Sequence, residues 1–240
     1  MKMAGRRFGD PVGDWTPPAR PGPEAIGGRY ARLERLDPAR HGQDLHAANL
    51  MSDAIWDYLP YGPFTDLAGY LAWAEAMAVK EDPFFYAVVD LSTGRAGGVA
   101  SFLRIDPAAG SIEVGHINLA PALQRTRAAT EAICLMMGWA FEAGYRRFEW
   151  KCDALNLPSR RAAERYGMSY EGVFRQAGVV KGRNRDTAWF AAIDKEWPAL
   201  KAAHEAWLAP GNFDAEGVQR QDLSGLTRPI LVTRDPALAG

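Results

Sequence analysis

The chain has 240 residues, is 48% hydrophobic and 24% charged, and carries a formal net charge of −1. That is enough sequence for one sizeable core with extensions, and the charge balance excludes a nucleic-acid binder recognisable by bulk positive charge. No 18-residue apolar run and no apolar leader are present, so no membrane partner and a cytoplasmic location are expected. Cys134 and Cys152 sit in apolar contexts without metal-ligand spacing, which predicts two buried reduced thiols and no metal.

Residues 1–28 carry Pro11, Pro17, Pro18, Pro21 and Pro23. They read as an extended arm, with Trp15 as a candidate pin. Alternation predicts a strand over 29–36, and Asp37-Pro38 opens a helix to about 51. Residues 56–64 (WDYLPYGPF) form an aromatic loop broken by proline. A second helix spans 66–80, with Leu67, Tyr70, Leu71 and Ala74 at helical spacing. Strands follow over 84–90, 97–105 and 111–119. A long helix runs from Thr126 to Ala143 and ends at Gly144. A strand over 147–152, a short helix over 158–166, strands over 169–177 and 186–193 around a polar turn (Lys181 to Arg185), and a helix over 195–208 complete the body. The tail 209–240 is expected to add a short strand or wrap the core. The order predicts an α/β (α+β) domain over 29–208, with a mixed, mostly antiparallel sheet and helices on both faces.

The segment from Gln124 to Thr130 joins a strand to the long helix. Its N–H groups are the unpaired donors of a helix start, where the macrodipole favours an anion. Gln124, Arg125, Thr126, Arg127, Ala128, Ala129 and Thr130 are therefore candidate phosphate-binding positions. Ala128 and Ala129 are small enough for close approach. Arg127 cannot take positive φ without strain, and Arg125 is suited to pair with a phosphate.

Several short pieces then occur in a fixed order. They are Glu113-Val114-Gly115-His116, Pro121-Ala122-Leu123-Gln124, Ala128-Ala129-Thr130-Glu131-Ala132, Ala154-Leu155-Asn156-Leu157-Pro158-Ser159, Tyr166-Gly167-Met168, Glu171-Gly172 and Phe174-Arg175. Together they resemble the GNAT family of acyl-CoA-dependent N-acetyltransferases, and most closely the branch typified by ribosomal-protein N-terminal acetyltransferases. The resemblance covers about residues 29–194.

It implies acetyl-CoA as co-substrate, with its pyrophosphate at 124–130. It implies Asn156 on the CoA arm or the opened strand edge, and Ser159 near the thiol sulfur. A backbone N–H near Asn118 or Leu119 is expected to meet the acetyl carbonyl. Glu113 and His116 are the candidate bases. Three positions apart, they are expected on opposite faces of the sheet. Two familiar acid/base positions are vacant: Ala163 stands where many members have a tyrosine, and Gly178 where some have a glutamate.

The acceptor wall is expected from Trp56, Tyr58, Tyr61 and Phe64, with Phe174 and Arg175 opposite. Aromatic rings with nearby carboxylates suit an amine. The sequence thus predicts an N-acetyltransferase acting on a primary amine, of a small molecule in preference to a peptide N-terminus, with a homodimer as a candidate assembly. The alternative is a non-catalytic acyl-CoA-binding or interaction protein on the same scaffold.

Overall fold

The structure is a computed structural model that describes residues 7–238. Eight strands form one sheet: β1 (Ala25–Gly27), β2 (Ala31–Arg35), β3 (Phe84–Asp90), β4 (Arg95–Asp106), β5 (Ser111–Leu119), β6 (Arg147–Asp153), β7 (Ser169–Val180) and β8 (Arg183–Ile193). Their order is β1-β2-β3-β4-β5-β6-β8-β7. Only β5 and β6 are parallel. Helices α1 (Pro38–Asn49) and α2 (Leu67–Ala78) cover one face. Helices α3 (Arg127–Glu142), α4 (Leu157–Arg165) and α5 (Trp197–Leu208) cover the other, and a short α6 (Leu223–Thr227) lies in the tail. This is the mixed, mostly antiparallel sheet that the element order predicts.

The central strand shows why. In β3, Phe84, Tyr86 and Val88 enter the core under α3, while Phe85, Ala87 and Val89 enter the core under α1 and α2. A strand buried on both sides must be apolar throughout, and FFYAVV is. The helices start where side chains can satisfy free N–H groups. Asp37 accepts from Ala39 N at 2.9 Å, Asp66 from Gly69 N at 2.7 Å and Thr126 from Ala129 N at 3.1 Å.

Two features differ from expectation, and a third decides between two expected outcomes. First, the β7–β8 connection is not a five-residue polar turn. Both strands continue to a two-residue turn at Lys181 (φ 48°) and Gly182 (φ 73°), and two left-handed residues are what a type I′ hairpin requires. Second, the N-terminal arm contributes β1, which pairs with β2. Trp15 does pin the arm, donating its indole N–H to Gly144 O at 2.9 Å. Third, among the described residues the tail adds no strand to the sheet. It wraps α4 and α5, with Leu223, Thr227 and Asp235 buried.

One buried carboxylate joins the arm to the helical layer. Glu131 on α3 accepts from the N–H groups of Arg29 (2.9 Å), Tyr30 (2.5 Å) and Ala31 (2.7 Å). Gly28 allows this approach, because a Cβ there would stand 2.4 Å from the carboxylate oxygen.

Candidate active site

The site begins where two strands part. Parallel pairing of β5 with β6 runs from Ser111–Arg147 to Val114–Trp150 and stops. Beyond it, β5 follows β4 and β6 follows β8, so a split opens in the sheet. Ala120 N–H bonds Gly97 O at 2.9 Å. Antiparallel alternation then makes Val99–Asn118 a bonded pair and turns the Leu119 N–H away from β4, into the split. Of the two expected carbonyl-binding positions, Leu119 therefore has the correct orientation. The Asn118 side chain is buried, with neither amide atom bonded, and does not line the cavity.

A bulge alters which side chains face the acceptor. Between the Val99 and Ser101 pairings, His116 and Ile117 oppose Ala100 alone, and His116 is left-handed at φ 50°. The extra residue cancels the expected alternation. Glu113 points away from the α3-side core that holds Ile112 and Val114, and His116 packs 5.3 Å from Phe85 in the α1/α2-side core. The two candidate bases share one face, contrary to the opposite-face expectation.

Glu113 is buried, and both oxygens are bonded. Arg104 Nη1 donates at 2.7 and 2.8 Å, and Lys151 Nζ at 2.9 Å. Burial outweighs these cations and raises its pKa. Lys151 also holds Glu149 at 2.7 Å and lies 3.7 Å from the Trp189 ring centre. Arg104 and Lys151 were not foreseen. The alternation of β6 (Phe148, Trp150 and Cys152 inward) was the available signal for Lys151, but the register that brings it to Glu113 was not legible.

His116 stacks on Tyr61 at 5.7 Å and 12°, with Nδ1 3.2 Å from the tyrosine hydroxyl. Burial, helped by Arg104, Lys80 and Arg185, pushes its pKa down to about 4, so the imidazole is neutral at pH 7.

The expected acceptor wall divides. Trp56, Tyr61 and Phe64 pack on one another, and Tyr61 and Phe64 pack on Trp73, in the α1/α2-side core; only Tyr58 of the four lines the cavity. Turned inward against Trp73 and Tyr70, the Tyr61 and Phe64 rings are removed from water, which the hydrophobic effect favours. Tyr58 donates its hydroxyl to Leu155 O at 3.3 Å, across the mouth of the split. Lys181 Nζ donates to Trp56 O at 2.8 Å. Phe174 packs on Trp189 in a tilted pair with ring centres 4.5 Å apart, and with Arg175 borders a separate shallow depression.

On the opposite side, the turn after β5 leads into α3. Gln124 Nε2 donates to Leu119 O at 2.9 Å and so fixes the Leu119 peptide. The left-handed residue is Arg125 (φ 61°), not 127. Thr126 caps α3 through Ala129, leaving the N–H groups of Arg127 and Ala128 as the uncapped donors. Ala128 and Ala129 are both buried in the core, and of the two only Ala129, with Thr130 after it, also lines the cavity. The Arg127 guanidinium lies 5.0 Å from the Tyr30 ring and 4.8 Å from Phe213. Thr130 Oγ1 donates to Thr126 O at 3.1 Å and accepts from Arg165 at 3.2 Å.

Asn156 caps α4, its Oδ1 accepting from Ser159 N at 3.1 Å. Ser159 Oγ accepts the Trp150 indole N–H at 3.0 Å, which leaves its own proton to donate. Cys152 beside it is buried, with its pKa pushed up to about 11. One cavity of about 1730 Å³ runs from Glu113, His116 and Lys151 through the split to Ser159, Arg125 and Thr130. Pockets for a single drug-sized ligand measure roughly 300–1,000 Å³, so there is room for two reactants.

The sequence matches the acetyltransferase (GNAT) domain over residues 32–169. The chain belongs to the GNAT acetyltransferase family. A GCN5-related N-acetyltransferase from Brucella melitensis is 46% identical, with a TM-score of 0.87 over 90% of this chain and 99% of that one. A probable GNAT-family acetyltransferase from Chromobacterium violaceum is 41% identical, with a TM-score of 0.76 over 81% and 98%. The microcin C7 self-immunity acetyltransferase MccE, solved with acetyl-CoA and AMP, shares the fold at 20% identity, with a TM-score of 0.62 over 69% and 93%. No curated protein matches the chain. Family membership decides for an acetyltransferase over the non-catalytic alternative, and acetyl-CoA-dependent acetylation is the chemistry general to the family. Among the described residues, no helix is long and apolar enough to cross a membrane.

Proposed function

We propose that this GNAT protein transfers the acetyl group of acetyl-CoA to a primary amine, carried by a small molecule in preference to a protein N-terminus. The roof over the acceptor end carries the second half of this reading. Tyr58 ties the loop to Leu155, and Lys181 ties it to the β7–β8 hairpin. A peptide strand would have to displace a roof held at two points, whereas a small amine would not.

Transfer forms a C–N bond and breaks the thioester C–S bond; one proton leaves the amine and one reaches the departing sulfur. The Leu119 N–H stabilises the carbonyl oxygen as charge develops on it. Ser159 gives the sulfur a proton from a hydroxyl oriented by Trp150. Glu113 takes the amine proton through a water, because both its oxygens are already bonded. His116, neutral and stacked on Tyr61, shapes the pocket beside it. The pyrophosphate is held by Arg125 and the uncapped N–H groups at the start of α3.

The test is thiol release from acetyl-CoA with a panel of small amines and a panel of peptides. Small amines are expected to turn over, and Ser159→Ala and Glu113→Gln each to lower kcat about 100-fold. Turnover of peptides alone would overturn the acceptor class. An unchanged kcat in Glu113→Gln would remove it as the base.

A further inference from the structure

The cavity does not end at the start of α3. It continues along α4 to a wall built by the tail, a segment outside the residues 32–169 that match the family domain. This end collects Arg125, Arg127, Arg161, Arg165, Arg228 and Arg234 against a single lining carboxylate, Glu164. The other lining acids, Asp57, Glu113 and Asp153, belong to the acceptor end. In a chain of net charge −1, such a concentration calls for an anion.

Four of these cations form two groups. Arg125 stands at the α3 N-terminus, which serves one anionic group. Arg161, Arg228 and Arg234 gather beyond it, along α4 and the strap of tail that covers α4. Five residues of helix separate the Asn156 cap from Arg161, about 8 Å of rise. The strap is firmly seated. Arg160 holds Asp235 through two bonds of 2.6 Å, Ser169 Oγ accepts from Val232 N at 2.9 Å, and Thr227 Oγ1 donates to Arg165 O at 3.1 Å. Thr227 and Asp235 are buried, and the cations Arg228 and Arg234 are their immediate neighbours in the chain. Arg160 neutralises Asp235, so the anchor does not cancel the cations beside it. Among the described residues, Arg228 and Arg161 make no ion pair, and Arg234 has only a loose one to Glu164 at 3.8 Å.

We infer that the C-terminal strap is a phosphate clamp. Arg228 and Arg234, with Arg161 opposite, take the 3′-phosphate of CoA and so select CoA over its 3′-dephospho form. This rests on the acetyl-CoA reading above. It assigns the strap a binding role that the residues of the split cannot fill, since those address the thioester and the pyrophosphate.

The experiment is isothermal titration of the full-length protein with CoA and with 3′-dephospho-CoA. Wild type is expected to bind CoA about 30-fold more tightly or better, from two charge-assisted contacts. Arg228→Ala/Arg234→Ala is expected to lose most of that preference by weakening CoA alone, with the thermal unfolding midpoint unchanged. Arg220→Ala, an exposed strap arginine outside the cavity, is expected to leave the preference intact. Equal wild-type affinities for the two ligands would overturn the clamp, as would a double variant weakened equally on both. CoA binding without preference would leave the acetyl-CoA reading standing, whereas binding of neither ligand would remove both.

Discussion

Arg104 Nη1 reaches both carboxylate oxygens of Glu113, at 2.7 and 2.8 Å, from the neighbouring strand. Lys151 approaches from the other side at 2.9 Å. The carboxylate is thus held in place by two cations, which oppose but do not cancel the rise in its pKa that burial causes. Removing Lys151 as Lys151→Met takes away a cation that lowers the Glu113 pKa. The acid limb of kcat/KM is expected to move to higher pH. A pH–rate profile checks it; an unmoved limb would show that another group titrates.

His204 is buried, with Nε2 3.0 Å from Tyr166 O, and burial pushes its pKa down to about 4. Between pH 4 and 6.5 the unfolded chain therefore binds more protons than the folded one, and stability falls as pH falls through that window. The loss approaches about 3 kcal/mol near pH 4. Urea unfolding at pH 7.5 and 4.5 is expected to show a lower midpoint at the acid end, and His204→Gln a smaller difference.

Glu131→Gln replaces a carboxylate that accepts three backbone N–H groups with an amide that has one acceptor oxygen. The expected cost is about 2–3 kcal/mol, read as a lower urea midpoint at constant slope. Gly28→Ala is expected to destabilise as well, because its new Cβ meets the same carboxylate.

The left-handed His116 distinguishes two substitutions of similar size. Asparagine tolerates φ near 50° and valine does not. His116→Asn is expected to keep a melting temperature several degrees above that of His116→Val. Similar values for the two would mean that the bulge relaxes at little cost.

Much of the sheet was legible, because β3 is apolar throughout, β6 alternates and the helices announce their caps. Asp37-Pro38 and Thr126 open helices as their types predict. The bulge was not legible. No glycine or proline stands at position 116 itself, and the register that forces the extra residue depends on Ala100 and its neighbours in β4. It decided which face the candidate bases share. The aromatic loop was visible as a loop, but its sequence did not say whether the rings of Trp56, Tyr61 and Phe64 turn outward or inward. Trp73 and Tyr70, from the following helix, settle that. The tail arginines lie more than sixty residues after α4, and only the tertiary fold brings them to its side.

Arg127, at the first turn of α3, lies between a ring from the start of the chain, Tyr30, and a ring from its last forty residues, Phe213. Trp15 is fastened just past the other end of the same helix, at Gly144. The molecule therefore cannot be shortened at the limits of the family match without unwrapping its central helix. A chain cut back to residues 32–169 would lose β7 beyond its first residue, all of β8 and the partners of Arg127 and Arg160. Trimming either extension for crystallisation would remove part of the protein's own packing.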